Sequence, residues 1–382
     1  MRLTAAVYLA AICIWSLPAN AQTSEAGDVK LRLLGRVQAQ FSTTSVDERE
    51  LIASGNIPNL AIPASMFETR RIRFGAEVIF REWLTGKLET ELGMGRLAIR
   101  DAYLNMGFDP RFQLRVGQFK KPFSLLQLTS SSVWPVIERS VRIRGLGFAM
   151  FQQDSAAGGV PVLQTFGGLP VLGEEQDMLD LFLYQNFDLG AVVLGKLGSF
   201  GYTVGTFNGA GWDRQDDTDE KSYAGRLTYT LPNATPITFG VAFSYREFRI
   251  TNTPALVTAD GTAFEADLEV GGFRKKGFHF LGEFAVGDNL SQLDDKFMGA
   301  QGILAYYHSL DGKKLEGLEF AGRASYGDPR MDAEGDDGLL LTPGVNLYFF
   351  GRNRLMFNWD VYTAGDRFET ENSLRAQAQF YF

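Results

Sequence analysis

The chain holds one cysteine in 382 residues, Cys13, and two histidines, His279 and His308. Cys13 falls in a segment expected to be removed on export, which leaves neither a disulfide framework nor a thiol nucleophile. Triad chemistry needs a base beside a serine or a carboxylate, and His279, set between Phe278 and Phe280, reads as a wall residue instead. No metal-ligand spacing occurs, and glycine-rich stretches read as turns. Neither an enzyme nor a cofactor is expected. Basic residues are also in deficit: 37 Lys and Arg against 45 Asp and Glu give a formal charge of −8, which disfavours nucleic acid as a partner. A Pro/Ser-rich linker is missing too, so nothing supports a split into two domains. Finally, no apolar run reaches the roughly 20 residues of a spanning helix.

What is present begins with an export signal. Met1-Arg2 supplies a positive charge, residues 7–17 are apolar, and Ala19-Asn20-Ala21 has the small-x-small pattern of a signal-peptidase site. The expectation is a signal peptide over 1–21 and one mature domain over 22–382. Membrane residence of such a chain requires a β-barrel, because lipid tolerates no unpaired backbone groups outside helices and closed sheets.

The last nine residues are written as a barrel strand. Leu374, Ala376, Ala378, Phe380 and Phe382 alternate with mostly polar partners, so one face meets lipid and the other the lumen. Similar alternation predicts an all-β fold, a transmembrane antiparallel barrel of sixteen strands over 29–41, 70–81, 84–93, 98–108, 111–119, 188–197, 199–208, 221–231, 236–248, 263–272, 275–286, 297–309, 314–326, 338–350, 352–364 and 372–382. Apart from the second outer connection, 94–97, which is as short as a turn, short and long connections alternate along this series, as periplasmic turns and outer loops do. The longest connection, 120–187, follows the fifth strand. Charge is uneven as well: residues 70–144 carry 14 Lys and Arg against 7 Asp and Glu, inside an acidic chain.

Several stretches resemble the phosphate-selective porin O and P family: Arg100-Asp101-Ala102-Tyr103-Leu104-Asn105, Gln113 to Ser124 in the order QLRVGQFKKPFS, Ile137-Glu138-Arg139-Ser140, Gly201 to Gly209 in the order GYTVGTFNG, and Tyr223-Ala224-Gly225-Arg226-Leu227. The resemblance implies a sixteen-stranded homotrimeric porin in the outer membrane of a Gram-negative bacterium. It also implies a third outer loop, here 120–187, folded inward as a constriction. Departures are the net acidity, the acidic half of that loop from 154 to 180, and an incomplete arginine ladder.

Anion passage needs fixed positive charge where water and salt screen it least. Arginine suits phosphate because its planar fork donates two parallel hydrogen bonds. The expected constriction comprises Arg71, Arg73, Arg115 and Arg226 on lumen-facing positions, with Lys120, Lys121 and Arg139 at the base of the inward loop. Asp101, Ser124 and Glu138 would orient them or accept from a protonated phosphate. Against this stands simple cross-strand pairing of the arginines with Glu77, Glu89 and Glu91. The function expected is a passive, anion-favouring diffusion channel with phosphate-type ions as the leading substrate. Its rivals are a general or cation-leaning porin and a plugged structural or adhesive barrel. Acidic outer stretches at 213–220 and 332–337 read as solvated tips that could bridge lipopolysaccharide through divalent ions.

Overall fold

The computed structural model describes residues 23–26, 29–44, 65–93, 96–138, 142–143, 176–182, 184–211, 221–232, 235–250, 257–289, 295–332, 337–364 and 370–382. Period-two alternation dominates these residues, and they form a closed barrel of sixteen antiparallel strands. In chain order these are β1 Val29–Thr44, β2 Ser65–Arg81, β3 Leu84–Gly93, β4 Arg96–Asp109, β5 Phe112–Lys120, β6 Phe187–Leu197, β7 Phe200–Phe207, β8 Ser222–Leu231, β9 Ile237–Ile250, β10 Val257–Val270, β11 Gly277–Asp288, β12 Lys296–Ser309, β13 Gly317–Asp328, β14 Gly338–Phe350, β15 Asn353–Ala364 and β16 Glu371–Tyr381.

Each strand pairs with its sequence neighbours, β5 meets β6 across the longest connection, and β16 meets β1 from Tyr381↔Arg36 to Ser373↔Thr44. Closure leaves no open row of N–H and C=O groups along the seam. The start of β1 runs past the C-terminal residue, and the short strand Thr23–Ala26 covers that edge, pairing from Thr23↔Arg32 to Ala26↔Val29.

Observed strands match the expected ones closely, and two begin five or six residues earlier than anticipated. β2 begins at Ser65 rather than 70, and β10 at Val257 rather than 263. Both extensions lie at the long-loop end, where a ladder can continue through sequence that lacks a lipid-facing apolar series. The opposite end has tight turns, several built on positive φ: Gly198 at 64°, Gly351 at 59° and Gly271 at 86°. At Asp109, the carboxylate accepts from the Arg111 backbone N–H at 2.8 Å and closes the β4–β5 turn.

The two faces separate as the alternation requires. In β9, Val241 is 53% exposed and Ala242 only 6%. In β16, Leu374 and Phe380 point outward while Gln377 and Gln379 are buried.

The lumen is partly filled from within. After β5 the chain passes through the four-residue helix α1, Leu125–Leu128. Its backbone finds partners on wall side chains: Leu125 N–H on Glu265 (3.1 Å), Leu126 N–H on Glu283 (3.1 Å) and Ile137 N–H on Asn358 (2.7 Å). Pro135 and Ser132 carbonyls accept from Asn346 (2.7 Å) and Gln379 (3.0 Å). A chain crossing a barrel interior must satisfy its amides somewhere, and polar residues of β10 to β16 supply the partners. Apolar contacts complete the anchoring. Leu125, Leu126, Trp134 and Val136 pack on Leu281, Ile303, Ala305 and Ala321. Met178, Leu179, Phe182 and Tyr184 pack with Phe123 on Ala242, Ala263, Ala285 and Phe297. Alanines at lumen-facing positions make the room for these side chains.

Candidate functional site

With much of β9 to β16 covered in this way, open space remains along β1 to β5 and the adjoining ends of β6 and β16. Two irregularities crowd charge onto this wall. Between β1 and β2 the register passes from Gln38↔Arg71 to Ala39↔Thr69, leaving Arg70 as an extra residue. Between β3 and β4 it passes from Glu89↔Asp101 to Thr90↔Ile99, leaving Arg100 extra. A β-bulge of this kind resets which face a side chain takes. Consecutive residues Arg70-Arg71, and Arg100-Asp101, therefore both serve the interior.

Arg70 and Arg71 converge on one carboxylate. Glu138 accepts from Arg70 Nε at 2.6 Å and from Arg71 Nη2 at 3.0 Å, and its carbonyl accepts from Arg323 Nη1 at 2.6 Å. Burial acts to raise the Glu138 carboxyl, but the two guanidiniums outweigh it and hold the group well below the usual carboxylate range. This cluster ties the segment after α1 to β2 and β13.

Further along, Arg73 pairs with Glu89 at 3.0 Å and with Glu91, and Arg100 Nε reaches Glu91 at 3.2 Å. Lys87 bridges Glu89 (3.2 Å) and Asp101 (2.7 Å). Cross-strand pairing of the arginines with Glu89 and Glu91 is thus a real feature of this wall. Arg115 differs: Nε donates to Asn105 Oδ1 at 3.2 Å, and Cζ lies 4.4 Å from the ring centre of Tyr103 and 5.7 Å from that of Phe119. Arg36, opposite Arg73 in the ladder, is 4% exposed, and its Nε and Nη2 have no hydrogen-bond acceptor among the described residues.

These side chains border a cavity of about 430 Å³. Its lining includes seven cations (Arg32, Arg36, Arg73, Lys87, Arg115, Lys120 and Arg352) against three carboxylates (Glu77, Glu89 and Asp101). The field inside is set by that excess, since low-dielectric walls focus it.

Of the residues expected from sequence, Arg73, Asp101, Arg115 and Lys120 meet at this cavity. Lys120 donates to the Gln127 carbonyl and lies 5.7 Å from the Phe187 ring centre. Arg71 and Glu138 form the anchor just described. Lys121 is buried to 1%, and its backbone N–H bonds to Asn186 O at 2.9 Å. Ser124 is turned to the far wall, where Oγ donates to Glu283 at 2.9 Å and caps α1 by accepting from Gln127 N–H at 3.1 Å. Arg226 belongs to that wall too, bonded to Glu265 at 3.0 Å and Asp267 at 2.8 Å. Arg139, and the stretches 213–220 and 333–336, lie outside the described residues. Arg36 and Arg100 were missed. The signal for Arg100 was present: outward apolar positions are odd at Leu97 and Ile99 but even at Leu104 and Phe108, so the phase must shift between them.

Residues 65–271, over half the chain, match the family described as phosphate-selective porin O and P. No curated protein matches in sequence. Similar solved structures include the outer membrane channel DcaP of Acinetobacter baumannii, at 12% identity and a TM-score of 0.59, covering 95% of this chain and 100% of that chain. OmpF of Salmonella typhi, in complex with daunomycin, is similar at 10% identity and a TM-score of 0.58, with coverages of 94% and 100%. OprB of Pseudomonas putida follows at 11%, 0.57, 92% and 94%. At these identities the likeness is one of fold.

Proposed function

The chain belongs to the phosphate-selective porin O and P family, and we propose that its barrel is an anion-favouring outer-membrane diffusion channel with phosphate-type ions as its leading substrate. Family and fold together support the coarser statement, an outer-membrane diffusion channel. The finer reading rests on one observation: the cavity on the open wall carries seven cations and three carboxylates. An oxyanion crossing it exchanges part of its hydration shell for guanidinium and ammonium donors. Arg115 is the residue best placed to supply them, with Lys120 bonded to the Gln127 carbonyl and Arg73 and Lys87 partly committed to Glu89, Glu91 and Asp101. The proposed assembly is a homotrimer, a state also named for one similar structure, OmpT of Vibrio cholerae in its trimer form. Residues 1–21 as a signal peptide, 120–187 as the constriction loop and lipopolysaccharide as a surface partner are part of the same proposal.

A general porin is the second reading, favoured by the pairs that neutralise Arg73 and Lys87 and by the carboxylates Glu265, Asp267 and Glu283 on the far wall. Reversal potential of the purified protein in planar bilayers under a salt gradient separates the two. The anion channel gives a potential of the chloride-selective sign, and phosphate reduces chloride current. A potential near zero or of the cation-selective sign rejects it.

A further inference from the structure

The cavity on the β1 to β5 wall is larger and more aromatic than an inorganic oxyanion requires. At about 430 Å³ it falls within the roughly 300–1,000 Å³ of sites that hold small organic molecules. Tyr103 and Tyr381 line it half-buried, and the buried rings of Phe119 and Phe187 also border it. Cations sit on these rings: Arg115 4.4 Å from the centre of Tyr103, and Arg352 4.7 Å from that of Tyr381. A guanidinium laid on a ring is oriented by it, and stacked planes of this kind extend readily to another flat group.

Two guanidiniums here have no carboxylate partner among the described residues. Arg36 is buried with Nε and Nη2 lacking an acceptor among those residues, and buried donors left in that state are costly. Arg115 spends one donor on the neutral amide of Asn105. Arg73 and Lys87, between them in the wall, are by contrast satisfied by acids. Of the two, Arg115 lies against aromatic faces, those of Tyr103 and Phe119.

The geometry points to a binding station for planar aromatic carboxylates: Arg115 takes the carboxylate, Tyr103 takes the ring, and Arg36 adds positive charge farther along the same cavity. Inorganic phosphate uses the charges alone; an aromatic acid uses both halves of the cavity. This inference rests on the anion-favouring reading, and its test keeps the two apart.

The experiment is single-channel recording of the purified full-length protein in chloride, with benzoate, cyclohexanecarboxylate, acetate or inorganic phosphate added at neutral pH. Benzoate is expected to reach half-block at a concentration at least tenfold below acetate and several-fold below cyclohexanecarboxylate. Tyr103→Leu should abolish the advantage of benzoate over cyclohexanecarboxylate while leaving phosphate block in place, and Tyr103→Phe should retain it. Arg36→Gln should weaken block by every anion, with Arg36→Lys restoring phosphate more than benzoate. Equal block by benzoate and acetate, or an unchanged preference in Tyr103→Leu, overturns the station. If phosphate blocks while benzoate does not, the station fails and the anion channel stands; if no anion blocks and the potential is cation-selective, both fall.

Discussion

The ring of Phe382 lies against Gly35 so closely that a side-chain carbon on Gly35 would collide with its Cε2 and Cζ. The two residues also exchange backbone hydrogen bonds, Gly35 N–H to Phe382 O at 2.8 Å and Phe382 N–H to Gly35 O at 3.0 Å. The barrel seam therefore ends on a glycine that makes room for the terminal aromatic. Gly35→Val should overpack the seam by about 1–3 kcal/mol, by the usual cost of inserted methyl groups. Deleting 371–382 should prevent closure altogether. Heat-modifiable migration on gels reads both, with a reduced folded band for the first and none for the second.

Wall orientation gives a second prediction. Val241→Arg places a cation in lipid and should cost about 2–4 kcal/mol near the midplane. Ala242→Arg points inward, yet Ala242 is not free lumen surface: it lies under the cluster that contains Phe182 and Tyr184. The inward arginine should preserve barrel assembly and displace the 178–184 segment, seen as folded protein with altered conductance. Equal loss of folded protein at both positions contradicts the assigned faces.

Glu138 makes the third. Its carboxyl is held low by Arg70 and Arg71 despite burial, so the anchor contributes stability at any pH above the ordinary Glu value of about 4.3 and loses it only as pH falls toward the depressed value. Lowering pH from 7 to 5 should leave the anchor intact. Glu138→Gln removes the shared carboxylate from Arg71, which is buried, and from Arg70, which is partly exposed, a loss of the order of 3–5 kcal/mol for a broken buried pair, and should free the segment at pH 7. Protease sensitivity between 121 and 138, alongside channel noise, checks it: wild type stays quiet and protected at pH 5, the variant does not at pH 7.

The barrel was legible because its cause is local. Lipid on one side and water on the other impose a period of two, and Leu374, Phe380, Val241 and Phe243 carry it without help from tertiary context. The site was only partly legible for the same reason. A bulge shifts the period by one residue, so Arg70 and Arg100 stand at nominally outward positions yet serve the interior. Tertiary pairing was equally hidden: sequence placed Ser124 and Arg226 with the anion wall, whereas Glu283, Glu265 and Asp267 hold them on the other. A clue to the covered wall did exist in apolar residues at lumen-facing positions, such as Leu281, Ile303 and Ala305, which a water-filled surface would not favour.

Charge reversal on the open wall is the last prediction. Lys121, buried to 1%, is a poor target because its reversal would disturb packing. Arg115 and Lys120 border the cavity and are better. Arg115→Glu with Lys120→Glu changes the formal lining from a four-charge excess of cations to neutrality, in a space where a charge is screened far less than at a surface washed by salt, whose screening length is about 8–10 Å. Reversal potential should move toward the cation-selective sign, and phosphate should lose most of its block. Lys275→Glu with Lys276→Glu reverses as many charges on the exposed turn between β10 and β11 and should move the potential little. Raising the salt concentration should shrink the turn pair's effect further while leaving that of the cavity pair largely in place. Should both pairs shift selectivity by the same amount, the wall acts as a diffuse surface charge and the general porin is the better reading.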